Sequence, residues 1–320
     1  MRASNFLTLA LFVLTCSSTI AQQANQADAA EDSMFNIKAP TMGGKQFWTD
    51  HVWRRGWRIQ HNAFTGHWRL INESNIRYAW GSRQQCQNVL EQHVPDSNIA
   101  ATEAVILMHG LMRSSSSMRS VGEYVGTELG IQPIYFEYAS TRSSISDHAA
   151  ALGEFIDSLP ENLALNFVGH SMGNIVVRHY IGDLQRSGQV AKLNRIQTVV
   201  MLGPPNQGAS IARQLAKTGV FGWVVGQGGL ELGPGWNEFQ SRLATPPCPF
   251  GVVAGVLPDS APSNPLLESD GDFVVSLEET RLDGATDTLT VPRLHSFLMD
   301  APEVQSATAN FIRTRGHFPR

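Results

Sequence analysis

Leu163-Ala164-Leu165-Asn166-Phe167-Val168, then Gly169-His170-Ser171-Met172-Gly173, then Asn174 to Tyr180: this stretch decides how the chain is read. The first part is an apolar run of strand length, and the last is a helical run. Between them stands a pentapeptide of the form G-x-S-x-G. Such a pentapeptide is common by chance, so its context carries the weight. A strand, a tight turn and a helix in direct succession would hold Ser171 on a sharp, exposed bend. The flanking positions must then be glycine, because a β-carbon there would strike the neighbouring helix or strand. Ser171 is the candidate nucleophile.

A hydroxyl near neutral pH needs a base, and the base needs a third group to orient it. In a strand–turn–helix of this kind the acid and then the base follow the serine along the chain, each in a loop after a later strand. Only His295 and His317 lie far enough downstream. His295 follows a strand-like run ending at Val291 and a turn at Pro292, whereas His317 sits in a terminal tail. His295 is the expected base. Asp259, Asp270, Asp272, Asp283 and Asp287 lie in the interval. Asp272 is favoured because Phe273-Val274-Val275 would fix its backbone against the core. Asp270 is the alternative acid and Asp259 a distant third. The oxyanion of a tetrahedral intermediate needs prearranged donors. The backbone N–H of Met172 is one, and the N–H of Leu111, in the loop Leu107-Met108-His109-Gly110-Leu111, is expected to be the second. His109 precedes the serine and is read as structural.

Outward from this stretch, apolar runs alternate with amphipathic ones. The runs are Ala104 to Met108, Ile131 to Phe136, Leu163 to Val168, Thr198 to Leu202, Phe250 to Val256 and Asp287 to Val291. The intervening segments Arg119 to Leu129, Ser146 to Leu159, Met172 to Ser187, Gly208 to Lys217 and Pro302 to Arg313 are predicted helices. This is the pattern of an α/β fold with a mostly parallel sheet flanked by helices. A glycine-rich, bulky apolar segment at 219–236, within a wider insertion at 208–245, is either a cap over the ligand crevice or a buried loop. Upstream, 34–100 reads as an extension packed on the 101–320 body. It holds a Trp-rich stretch, Phe47 to Trp80, with strands Gly56 to Gln60 and His67 to Ile71 and a helix capped by Ser82 and running to His93. Its tryptophans are expected to form a satellite core rather than a ligand site.

The chain has 320 residues and a net charge of −4, with no cluster of basic residues to hold a phosphate backbone, so nucleic acid is not an expected partner. Arg2, the apolar stretch Phe6 to Leu14 and the small residues to Ala21 have the layout of a signal peptide, residues 1–21, followed by a polar spacer, 22–33. Export, to a periplasm or beyond the cell, is therefore expected; acylation of Cys16 as a lipoprotein is the second reading. Of three cysteines, Cys86 and Cys248 would remain after cleavage, and one disulfide between them or two buried thiols are both open. The glycine-rich stretches at 42–45 and 226–229 lack the strand and helix of a phosphate loop, and His51, His61, His67 and His93 are scattered, so no metal and no cofactor is expected.

Across 103–313 the sequence resembles the bacterial lipase and esterase (triacylglycerol-lipase-like) branch of the α/β-hydrolase superfamily. The resemblance rests on His109-Gly110-Leu111, Gly169 to Gly173, Leu202-Gly203-Pro204-Pro205-Asn206-Gln207-Gly208, Asp272 to Ser276 and His295. It departs from that branch at Phe273, where an Asp-Gly-x-Val acid motif would place glycine. The resemblance implies an acyl-enzyme on Ser171, oxyanion donors at Leu111 and Met172, and an ester or lipid-like small-molecule substrate, with transient contact with a lipid surface left open. An acyltransferase or thioesterase would use the same residues. The reading from another class is a non-catalytic relative of the same fold that binds a partner.

Overall fold

The structure is a computed structural model, which describes residues 38–41, 43–95, 101–216, 221–257 and 270–319. The expected signal peptide and spacer, Cys16 and Asp259 lie outside the described residues.

The extension is a five-stranded antiparallel sheet. Its strands are β1 (Ala39–Pro40), β2 (Trp48–Arg54), β3 (Trp57–Asn62), β4 (Trp68–Ile71) and β5 (Ile76–Gly81), in the order β1-β5-β4-β3-β2. The expected pair of strands is thus the centre of a larger sheet. Helix α1 (Arg83–His93) packs on it, and its capping box is complete: Ser82 accepts from the Gln85 N–H, and the Gln85 side chain accepts from the Ser82 N–H. That reciprocity satisfies two of the donors that every helix start leaves open. The satellite core is aliphatic, with Val52, Ile59, Leu70, Ala79, Cys86 and Leu90 at its centre and Trp57 and Trp68 at its margin. His51 and His61 pack against Trp68, and His67 against Trp80, which accounts for these histidines as ring contacts.

The body runs β6 (Glu103–Met108), α2 (Arg119–Leu129), β7 (Gln132–Phe136), α3 (Ile145–Asp157), β8 (Ala164–His170), α4 (Met172–Arg186), α5 (Val190–Asn194), β9 (Ile196–Leu202), α6 (Ser210–Ala216), α7 (Phe221–Leu232), α8 (Trp236–Phe239), β10 (Phe250–Gly255), α9 (Leu277–Thr280), β11 (Asp287–Val291) and α10 (Pro302–Thr314). Its six strands are all parallel, in the order β11-β10-β9-β8-β6-β7. Alternate residues of β6 enter opposite cores: Ile106 and Met108 face α3 and α4, while Val105 and Leu107 face α2 and α10. Burial on both faces is why the central strands β6, β8, β9 and β10 read as continuous apolar runs.

The two sheets interlock at the carboxyl end of β7. Asp50, fully buried, donates its N–H to the Glu137 carbonyl (2.9 Å) and accepts from the Glu137 N–H at Oδ2 (2.8 Å). Trp53 enters the main core, and its N–H donates to Ser158 Oγ (2.8 Å). Burial pushes the Asp50 carboxyl up to about 6, since the charged form loses its hydration there.

The disulfide left open between Cys86 and Cys248 is not formed. Cys86 belongs to the satellite core and Cys248 packs against the main one. Burial pushes the two thiols up to about 12 and about 11.

Candidate active site

Ser171 sits between β8 and α4 with φ 53° and ψ −126°, a backbone conformation that L-residues seldom adopt. The bend is fixed from both sides. A β-carbon at Gly169 would stand 2.2 Å from Asn174 Oδ1, and one at Gly173 would stand 2.7 Å from the carbonyl oxygens of Met108 and His109. The Ser171 N–H donates to the Leu202 carbonyl on β9 (2.9 Å). Met172 is the first residue of α4, so its own N–H has no partner within the helix.

His295 and Asp272 come from the loops beyond β11 and β10, which pair in parallel and bring both to one end of the sheet. Asp272 Oδ2 lies 2.6 Å from His295 Nδ1. The other oxygen, Oδ1, accepts from the N–H groups of Val274 (3.1 Å) and Val275 (2.8 Å). A carboxylate can only accept, so Nδ1 carries a hydrogen, and in the neutral ring the lone pair is on Nε2. Both side chains are buried. Asp270 is exposed and contributes its backbone carbonyl to the Leu277 N–H (2.7 Å). His317 is also exposed, on the surface beside α10.

Small residues let these loops converge. A β-carbon at Gly255 would stand 2.7 Å from Asp272 Cβ, and one at Gly203, in the Leu202 to Gly208 motif, would stand 3.0 Å from His295 Nδ1. The His170 ring lies 4.7 Å from that of His295, and its Nε2 is 3.0 Å from the His295 carbonyl. The structure therefore gathers the Asp272–His295 pair beside His170-Ser171. Among the described residues no hydrogen bond joins the Ser171 hydroxyl to His295; such bonds often close only once substrate is bound.

Gly110 packs on the same turn, where a β-carbon would stand 3.1 Å from Ser171 Cβ. The N–H of the next residue, Leu111, is therefore close to Ser171. His109 is fully buried, stacks on Tyr138 (4.1 Å) and is lowered by desolvation to about 4, which holds it neutral in a structural position.

Sequence reasoning missed what holds this loop. Ser140 Oγ accepts from the Met112 N–H (3.0 Å) and donates to Gln46 Oε1 (3.0 Å); the Gln46 amide in turn donates to the Arg113 carbonyl. Glu137 Oε2 accepts from both the N–H (3.0 Å) and the hydroxyl (2.6 Å) of Ser115. The extension thus reaches the loop through Gln46 directly and through Asp50 by way of Glu137. A single Gln in a turn leaves no sequence signal for this; Glu137, a carboxylate just past an apolar run, was the one visible hint.

The insertion crosses the same region. Gly226 has φ 67°, and a β-carbon there would overlap the Thr141 carbonyl; one at Gly228 would stand 3.1 Å from Met172 Sδ. Residues 226–228 therefore lie against the start of α4.

No family model matches the chain, and no curated protein matches it in sequence. Solved structures do match. The mature form of the Bacillus licheniformis lipase BlEst2 aligns with a TM-score of 0.53 and 17% identity, covering 69% of this chain and 95% of that one. Its propeptide form aligns at 0.52 and 16%, covering 70% and 52%. A metagenomic carboxyl esterase aligns at 0.50 and 15%, covering 69% and 77%. At such identities the likeness shows the fold: this chain has the α/β-hydrolase fold, a parallel sheet flanked by helices, carrying an antiparallel Trp-rich sheet at its N-terminal side.

Proposed function

We propose that the protein is a carboxylic ester hydrolase working through an acyl-enzyme on Ser171. The observation that carries this is the buried Asp272–His295 pair, held beside the strained turn that presents Ser171. Ser171 Oγ attacks the ester carbonyl while His295 takes its proton, and Asp272 stabilises the imidazolium that results. The oxyanion is met by the N–H groups of Met172 and Leu111. His295 then protonates the leaving alkoxide, and a water attacking the acyl-enzyme repeats the sequence. We place this chemistry outside the cytoplasm, on the layout of residues 1–21.

The substrate class we propose is an ester with an apolar acyl chain. Met112 is 57% exposed, Phe273 43%, Leu294 38% and Phe297 57%, and each lies within two residues of a proposed catalytic or oxyanion residue. Large apolar side chains held in water beside a reactive centre suit a greasy chain or a lipid surface. The test is a series of p-nitrophenyl esters from acetate to laurate. Phe297→Ser is expected to raise KM for the laurate by about fivefold, the transfer cost of losing roughly 1 kcal/mol of apolar contact, and to leave the acetate unchanged. Equal effects on both esters would remove the acyl-chain reading.

Gln46→Ala is expected to lower kcat by about tenfold, a fraction of the loss seen when an oxyanion donor is deleted outright, with KM little changed. The ground-state ester does not yet need a tightly placed Leu111 N–H, whereas the tetrahedral oxyanion does. Steady-state kinetics on the acetate ester would check this split.

A further inference from the structure

A second serine in this protein is wired like a nucleophile. On α3 and on α4, the helix that follows the turn at Ser171, Ser146 Oγ lies 3.0 Å from His179 Nε2, and His179 Nδ1 lies 3.0 Å from Asp183 Oδ2. His179 and Asp183 are four residues apart on α4, hence on one helix face. Asp183 can only accept, so the hydrogen of the imidazole is on Nδ1, Nε2 is bare, and the Ser146 hydroxyl must donate to it. The hydroxyl proton can therefore pass to His179 Nε2, with Asp183 orienting the ring and stabilising the imidazolium.

Three features favour reactivity over a mere tie between helices. His179 is 4% exposed, its ring is stacked on Phe239 (5.6 Å), and burial lowers its affinity for a proton, so it stands ready as a neutral base. Arg242 Nη1 lies 3.5 Å from Ser146 Oγ, so an alkoxide there faces a guanidinium. The array also opens into a surface depression of about 600 Å³ lined by Ser146, His179, Asp183, Arg186, Ser241 and Arg242. Asp183 is shared with Arg186, whose Nη2 donates to Oδ1 (2.7 Å), which keeps the carboxylate in place.

We propose that Ser146 is a second activated serine, with His179 as base and Asp183 as its orienting acid, taking acyl or phosphonyl groups from short, polar activated donors. Every side chain lining the depression is polar, so long acyl chains find no apolar wall. The Ser146 Oγ–acyl bond forms as the donor's bond to its leaving group breaks. The serine proton passes to His179 Nε2 and from there to the departing group, an alkoxide from an ester or fluoride from a fluorophosphonate.

The experiment uses the whole chain, wild type and Ser171→Ala, treated with a short-chain fluorophosphonate and mapped by peptide mass spectrometry over time. Ser241 lines the same depression without a base and serves as the internal reference. Modification of Ser146 is expected at least tenfold faster than that of Ser241 in both proteins. It should fall at least tenfold in His179→Gln, whose amide oxygen can still accept from Ser146 but is not basic, and fall also in Asp183→Asn. Modification of Ser146 no faster than Ser241, or unaffected by His179→Gln, would overturn the proposal and leave a structural tie. Adducts at Ser171 are mapped on a separate peptide, so failure there is read independently.

Discussion

Ser171→Ala is expected to lower kcat for a p-nitrophenyl ester by about 10⁵-fold, the order seen when a hydrolase loses its nucleophile, with a residue of rate left by the oxyanion donors and binding. The fold should not suffer. Alanine enters the same left-handed backbone position as serine at no added cost, and the turn is held by the Ser171 N–H to the Leu202 carbonyl rather than by the hydroxyl. Unchanged thermal unfolding beside the lost turnover is therefore the expected pair of results, and adduct mapping with a fluorophosphonate should show the peptide carrying Ser171 unmodified. A variant that kept more than about a hundredth of wild-type kcat would place the nucleophile elsewhere, because oxyanion stabilisation without a nucleophile does not reach that level.

Asp272→Asn is expected to cost about 10⁴-fold in kcat through a change of tautomer rather than of shape. The asparagine oxygen would keep the bonds from Val274 and Val275, which hold the side chain to its own loop. Its NH₂ would then face His295 Nδ1, so Nδ1 would have to accept, and the hydrogen would move to Nε2, where the lone pair is needed. Asp270→Asn separates the two candidate acids. That side chain is exposed, and among the described residues it is the Asp270 backbone carbonyl that is bonded, so its replacement should stay within about twofold of wild type, as for other surface changes. Reversed magnitudes would reassign the acid.

The central strands β6, β8, β9 and β10 were legible because they are buried on both faces and so read as unbroken apolar runs; β7 and β11, at the two edges and partly exposed, were read as runs of the same kind at Ile131 to Phe136 and Asp287 to Val291. Glycine told as much by what it excludes: Gly169 and Gly173 leave no room for a β-carbon, and the sequence could be read for that necessity. The antiparallel extension was read short. Its strands alternate apolar with charged or ring-bearing residues such as Arg69 over Trp48, a pattern that composition does not separate from a tail. At Phe273 the sequence departed from a motif that places glycine, and the structure shows why glycine would suit: φ there is 82°. The local bonds of Asp272 to Val274 and Val275 hold that turn in place of glycine's freedom. The contacts of Gln46 were illegible because they join segments nearly a hundred residues apart, Gln46 with Ser140 and Thr141, through groups that any surface turn could carry.

The interlock of Asp50 with Glu137 and of Gln46 with the Leu111 loop bears on how such a protein can be taken apart. The seam visible in the topology, between one sheet and the other, is not the seam of the working machine. An engineer who grafted the parallel sheet and its helices alone onto another chain would carry away Ser171, His295 and Asp272, and leave behind the brace for the loop at Leu111. The smallest portable piece of this protein is accordingly larger than its parallel sheet, and it begins within the antiparallel one.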